Sequence, residues 1–193
     1  MTNPSTRTST AGTSIKDLVV QLTGSAEDEH RLAMAKGIAQ SFDAHIIGVH
    51  MHLLPDILDI TDPAQSATIR TLLETSDQAA DRSFKIAETR FAQLPVSHEL
   101  RRLHGLAADI GSDLAAIARN ADMFVGTRPY GDPEGHHHIE EEVLFATGRS
   151  CVFLPPGGTP HQHFDKIVIA WDRSREAARA VAEPDPGADP GDV

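Results

Sequence analysis

The chain has 193 residues, of which 40% are hydrophobic and 23% are charged, a composition typical of a globular protein with one core. Its formal net charge of −11 argues against nucleic-acid binding and against docking on anionic membranes, because both need clustered positive charge. The single cysteine, Cys151, excludes an intrachain disulfide and a cysteine-based zinc site. No apolar run has the length of a signal peptide or a membrane span, so we expect a cytoplasmic protein without a membrane partner.

Apolar runs alternate with segments of helical periodicity from residue 15 onward. Residues 1–14 are rich in Ser and Thr, lack periodicity and are predicted to be a disordered tail. The pattern that follows predicts strands at 15–22, 44–54, 96–103, 122–127 and 150–156, and helices at 26–42, 63–93, 106–121 and 139–148. This alternation predicts an α/β fold with a mostly parallel sheet and helices on both of its faces.

Ligands of such sheets bind beyond the carboxyl ends of the strands, where the strand order reverses. One turn follows the first strand and one loop follows the fourth strand, so we expect any site to use these two segments. Their candidate residues are Thr23, Gly24, Ser25, Gly126, Thr127 and Arg128. Ser25 precedes a helix and lacks the G-x-S-x-G pattern of a hydrolase, so we interpret it as a helix N-cap and predict no catalytic residue.

The end of the chain repeats the pattern of its beginning. After a predicted linker at 157–164, the segment KIVIAWDRSREAARAV gives an apolar strand, a turn containing a serine and an Ala-rich helix. The segment DLVVQLTGSAEDEHRLAMAKGIA follows the same order near the start. We therefore interpret 165–183 as the beginning of a second copy of the domain, followed by a disordered tail at 184–193. An apolar strand without its own sheet favours self-association.

Together these segments resemble the universal stress protein family in its tandem form. The resemblance rests on DLVVQLTGSAEDEHRLAMAKGIAQSF, IARNADMFVGTRPYG, EEVLFATGRSCVFLP and KIVIAWDRSREAARAV, and it covers 15–156 as one complete domain. It implies a Rossmann-like fold with a five-stranded parallel sheet in the order 3-2-1-4-5, and a cytoplasmic location. It also implies dimers or tandem pseudo-dimers and a role in stress resistance. Many members of the family bind ATP, and this chain's counterpart of that site is formed by the six loop residues named above.

The loop after the fourth strand departs from the pattern G-x2-G-x9-G-[ST] of nucleotide-binding members. Gly126 fills the first position, but Pro129 stands at the second and has no backbone N–H to offer a phosphate. The final Gly-[ST] pair falls on residues 139–140, or on 137–138 in the other register, and neither register restores it. Three glutamates at 140–142 are expected in the first turn of the next helix, where they would repel a triphosphate. The sequence therefore predicts a vestigial ATP site.

Two hypotheses of different classes follow. The first is a non-enzymatic stress-response domain with a degraded nucleotide loop and no cofactor, which acts by protein association and forms a homodimer. The alternative is an ATP-binding stress regulator that uses the strand-four loop. The histidine run His136–His138, together with His50 and His52 at the end of the second strand, raises a metal site as a third. We expect a solvated loop and a half-exposed strand end there instead, without a metal, and the role of the run stays open.

Overall fold

The computed structural model describes residues 15–55, 66–128, 137–159, 168 and 170–182. Within these residues strands and helices alternate in the order β1 (Asp17–Leu22), α1 (Glu27–Phe42), β2 (His45–Leu53), α2 (Ser66–Phe91), β3 (His98–Gly105), α3 (Ala107–Ala118), β4 (Met123–Thr127), α4 (His137–Thr147), β5 (Ser150–Leu154) and α5 (Arg175–Ala182). The strands and helices predicted between 15 and 156 are confirmed, with the usual small shifts at their ends. Residues 63–65 of the predicted second helix lie outside the described residues.

The strands form one sheet in the order β3-β2-β1-β4-β5, and every neighbouring pair is parallel. The predicted α/β fold class and strand order are therefore confirmed. The order reverses between β1 and β4, because β1 pairs with β2 on one side and with β4 on the other. This arrangement places the carboxyl ends of β1 and β4 side by side, at the point where such folds bind ligands.

Alternation along β1 divides the core into two layers. Leu18, Val20 and Leu22 pack in the cluster that contains the apolar residues of α1 and of the end of α2. Val19 packs on the opposite face, in the cluster that α3 and α4 line. Gln21 follows on that second face and is only 1% exposed, so a polar side chain ends an otherwise apolar strand inside the protein.

The described residues fall into two compact units, one within Ile15–His163 and one that contains α5. In the second unit, α5 follows Ser174, whose Oγ accepts the N–H of Ala177 at 3.0 Å as an N-cap does. Val168, Ala170 and Trp171 are the described residues of the strand predicted there, and they are not in a strand. The tails predicted at 1–14 and 184–193 lie outside the described residues.

Among the described residues, α1 to α5 include no helix with the length and hydropathy that a membrane crossing requires.

Candidate functional site

The turn after β1 is shaped by a glycine that no other residue could replace without strain. Gly24 has a φ of 78°, in the left-handed region that glycine adopts freely. A Cβ on Gly24 would also lie 2.9 Å from the Cβ of Ser83, which reaches the turn from α2. The turn is therefore held between the sheet and α2, with Thr23, Gly24 and Ser25 exposed at its surface.

The side chain of Asp28, near the start of α1, binds the backbone of the turn that follows β1. Its Oδ1 accepts the backbone N–H of Thr23 at 2.9 Å, and its Oδ2 accepts the backbone N–H of Gly24 at 2.9 Å. Asp28 is only 3% exposed, so these hydrogen bonds replace the water that its carboxylate would otherwise bind. Two N–H groups that could have faced a ligand phosphate therefore point at a side chain of the protein itself.

Arg31, one turn further along α1, links the ends of β1 and β4. Its Nη2 lies 2.6 Å from Oδ1 of Asp28 and donates to Oγ1 of Thr23 at 2.8 Å. Its Nη1 donates at 2.8 Å to Oγ1 of Thr127, the last residue of β4. Arg31 is 3% exposed and Thr127 is 5% exposed. A buried guanidinium thus bridges the two strand ends between which a nucleotide-binding crevice would open.

The other face of the sheet carries a second buried polar contact at the same edge. Nε2 of Gln21 donates to Oε1 of Glu140 at 2.9 Å, which ties β1 to the first turn of α4. Oε1 of Gln21 and Oε2 of Glu140 are buried and have no hydrogen-bond partner among the described residues. Gly126 makes room for this pair, because a Cβ there would lie 2.9 Å from Gln21 Oε1 and 2.6 Å from Phe124 Cε1.

Solved structures share this architecture, although no family profile or curated protein matches the chain. Among solved structures, the universal stress protein UspA from Lactobacillus plantarum is 15% identical, with a TM-score of 0.54 over 72% of this chain and 97% of that chain. The hypothetical protein MJ0577 is 12% identical, with a TM-score of 0.55 over 76% of this chain and 99% of that chain. A universal stress protein in complex with cAMP is 18% identical, with a TM-score of 0.44 over 73% and 97% of the two chains.

This chain has the universal stress protein fold. The match covers nearly the whole length of those solved chains. In a universal stress protein fold the crevice between β1 and β4 is the natural place for a ligand, and here it contains the Asp28 and Arg31 network.

Some of the predicted site residues belong to this hydrogen-bond network, and others have side chains exposed to solvent. Thr23 and Thr127 are joined through Arg31, whereas the Arg128 side chain is exposed, and its backbone N–H donates to the carbonyl of Leu154 at 2.7 Å. Ser25 is not the N-cap that we expected: the cap residue is Ala26, without a side-chain hydrogen bond. The Ser25 hydroxyl instead lies 2.9 Å from that of Thr23, because Asp28 binds the turn amides that precede the helix.

The expected row of three glutamates in the first turn of α4 is also corrected. The helix begins at His137, so Glu140 is the acidic residue of the first turn, and residues 141–142 lie beyond it. Glu140 turns inward to Gln21 rather than outward to a phosphate. His137 and His138 begin the helix instead of standing in a loop, and Pro129 with residues 130–136 lies outside the described residues.

The histidines at the end of β2 bind serines of α2. Nε2 of His50 lies 2.9 Å from Oγ of Ser83, and Nε2 of His52 lies 2.8 Å from Oγ of Ser76. His50 is 1% exposed, so our expectation of a half-exposed strand end is wrong for this residue. Burial lowers the pKa of His50, with Asp28 opposing that shift. The described residues contain no group of three or more His, Cys, Asp or Glu side chains that could hold a metal ion.

Sequence reasoning missed the residues that fill the crevice. Asp28 and Arg31 are spaced i and i+3 along α1, the spacing of a helical ion pair, and this was the available signal. The only sequence signal for Gln21 was that it is a polar residue inside an otherwise apolar strand. The acceptor for Arg31 on β4 lies 96 residues away, so local sequence could not reveal that the arginine points inward.

Proposed function

We propose that this chain is a stress-response domain of the universal stress protein type, non-enzymatic and cytoplasmic, which acts by protein association and not by tight ATP binding. The observation that carries the proposal is the guanidinium of Arg31, which bridges Thr23 and Thr127 across the strand order reversal. A nucleotide in that crevice would have to break the two hydrogen bonds from Arg31 to these threonines and separate a buried ion pair.

The donors and charges around the crevice support the same conclusion. A phosphate needs free N–H groups, and those of Thr23 and Gly24 already bind Asp28. The N-terminal turn of α1 also carries Glu27 and Glu29, which repel an anion at the end of the helix that would otherwise attract it. The sequence of the strand-four loop agrees, because Pro129 stands where nucleotide-binding relatives have a glycine.

Association is supported by the outer edge of the sheet. Among the described residues β5 pairs only with β4, so its other edge offers unpaired backbone groups of the kind that bind a further strand. On α4, which precedes β5 in the chain, Phe145 is 81% exposed and Leu144 is 46% exposed. Exposed large apolar side chains and an open strand edge are each typical of a protein interface, and a homodimer is the simplest assembly that would use them.

The alternative, an ATP-binding regulator, is favoured by Gly126 and Arg128. Gly126 keeps the close backbone approach that phosphate loops need, although Gln21 and Phe124 use that space here. The exposed side chain of Arg128 has no partner among the described residues and could face a phosphate from the rim of the crevice.

Titration of the untagged protein with ATP and Mg²⁺ in a calorimeter tests the proposal. We expect no binding heat up to millimolar ATP, and the variant Arg128→Ala should behave identically. Saturation at micromolar ATP that Arg128→Ala weakens would contradict the proposal and support the alternative. Sedimentation velocity tests association: we expect a dimer that Phe145→Ser dissociates, with Thr89→Ala, at an exposed position of α2, as the control. A wild-type monomer at high protein concentration would contradict the association part.

A further inference from the structure

Three donors from two parts of the chain converge on one carboxylate. The backbone N–H groups of Thr23 and Gly24 bind the two oxygens of Asp28, one each, at 2.9 Å. The Nη2 group of Arg31 binds Oδ1 at 2.6 Å. Loop amides together with a guanidinium are the groups that proteins use to bind carboxylate and phosphoryl oxygens, because each hydrogen bond is strengthened by charge.

The guanidinium is unusual in its surroundings as well as in its partners. Arg31 is 3% exposed, and among the described residues its other side-chain hydrogen bonds go to the neutral hydroxyls of Thr23 and Thr127. Its Nε is buried without an acceptor among the described residues. The Asp28 carboxylate is therefore the only anion that balances this buried charge within the described residues. Without an anion at that position, Arg31 would be an uncompensated buried charge, which is among the costliest arrangements in a protein.

We propose that the turn after β1 and Arg31 form a binding site for a small oxyanion, carboxylate or phosphoryl, which Asp28 fills as an internal ligand. The inference rests on the proposed function, since it names what occupies the crevice in place of a nucleotide. Because Asp28 is tethered beside the site, its effective concentration exceeds that of a free anion in solution. An external anion therefore binds only when Asp28 is displaced or removed.

Chemical rescue tests this site directly. The variant Asp28→Ala removes the internal ligand and leaves the three donors, and we expect its Tm to fall by roughly 5–15 °C. Sodium formate, which carries the same planar carboxylate, should raise the variant's Tm by about 2–4 °C more than sodium chloride at equal ionic strength. Sodium phosphate in a parallel series shows whether a tetrahedral oxyanion also fits. The wild-type protein should respond to formate and chloride alike.

Asp109→Ala provides the matched control, because Asp109 is an acidic residue in the first turn of α3 but is exposed. Formate should not distinguish this variant from the wild type. The inference is overturned if neither formate nor phosphate stabilises Asp28→Ala beyond chloride, or if Asp109→Ala responds equally. If Asp28→Ala does not fold, Asp28→Ser serves in the same experiment, with the same two outcomes.

The outcomes for this inference and for the proposed function are distinguishable. Micromolar ATP binding by the wild type would instead contradict the proposed function, while the formate result would still report on the donors.

Discussion

On the face of the sheet that α1 and α2 cover, the buried carboxylate of Asp28 meets two backbone amides and a guanidinium. On the face that α3 and α4 cover, the buried carboxylate of Glu140 meets one amide, that of Gln21, among the described residues. Both pairs lie at the carboxyl edge, where ligands of this fold bind. The difference shows that a buried carboxylate at this edge can have hydrogen-bond donors for both of its oxygens or, among the described residues, for only one. The effect of each arrangement on the free energy of unfolding can be measured.

Breaking the balanced pair should have the largest effect. Arg31→Ala leaves Asp28 buried without its cation and removes the link between β1 and β4, so we expect a loss of about 3–5 kcal/mol in the free energy of unfolding. Urea denaturation followed by circular dichroism measures it. Arg101→Ala is the control, because Arg101 pairs with Glu99 at the surface and its removal should cost about 1 kcal/mol or less. Equal losses in the two variants would show that the buried network contributes nothing special.

Filling the space on the opposite face should have an intermediate effect. A Cβ at Gly126 would lie 2.6 Å from Phe124 Cε1 and 2.9 Å from Gln21 Oε1, so Gly126→Ala forces both side chains to move. We expect a loss of about 1–3 kcal/mol in the free energy of unfolding, measured by the same denaturation. Gly105→Ala is the matched control, since its nearest neighbour would be Ile110 Cβ at 3.9 Å, an ordinary contact. A cost for Gly126→Ala no larger than that of the control would refute the close packing.

Replacing the carboxylate of Glu140, which pairs with Gln21, by an amide should have a small effect on stability, in the stabilising direction. In Glu140→Gln, one side-chain oxygen still accepts from Gln21 Nε2, and the new amide can donate to Gln21 Oε1, which lacks a partner among the described residues. We expect stability to be unchanged or to rise by up to about 1 kcal/mol. Asp28→Asn, the same chemical change on the other face, should cost roughly 3 kcal/mol or more. A large loss in Glu140→Gln would mean that its carboxylate has a donor after all.

The sequence sufficed for the fold because strands and helices differ in local periodicity, as the apolar alternation of β1 and the stripe of α3 illustrate. It also indicated the sheet edge at which Arg31 joins the ends of β1 and β4, since the position of that edge follows from topology alone. The contents of the crevice depended on contacts between distant segments. Asp28 has the sequence context of an ordinary acidic residue in a first helical turn, and only its approach to Thr23 and Gly24 shows that it binds the preceding loop.

A pH-dependent effect concerns His50, which lies beside the balanced pair. Its pKa is lowered from 6.5, first by burial, while Asp28 raises it and Arg102 and His52 lower it further. The folded state therefore prefers the neutral imidazole more than the unfolded state does. Stability from this residue is complete above the unfolded pKa of 6.5 and is lost as the pH falls from there toward the folded pKa. One proton limits the slope to about 1.4 kcal/mol per pH unit.

The contribution of His50 to the pH dependence is obtained as the difference between the wild type and a variant that lacks this histidine. Urea denaturation of the wild type and of His50→Asn between about pH 5 and about pH 7 should show a steeper loss of stability toward acid in the wild type. Asp28→Asn sharpens the comparison, because removing that carboxylate removes the influence that raises the pKa of His50. NMR titration of the imidazole should then find a pKa lower than in the wild type. A pKa that stays the same or rises would show that Asp28 acts on the loop and Arg31 alone, and that its charge is screened from the end of β2.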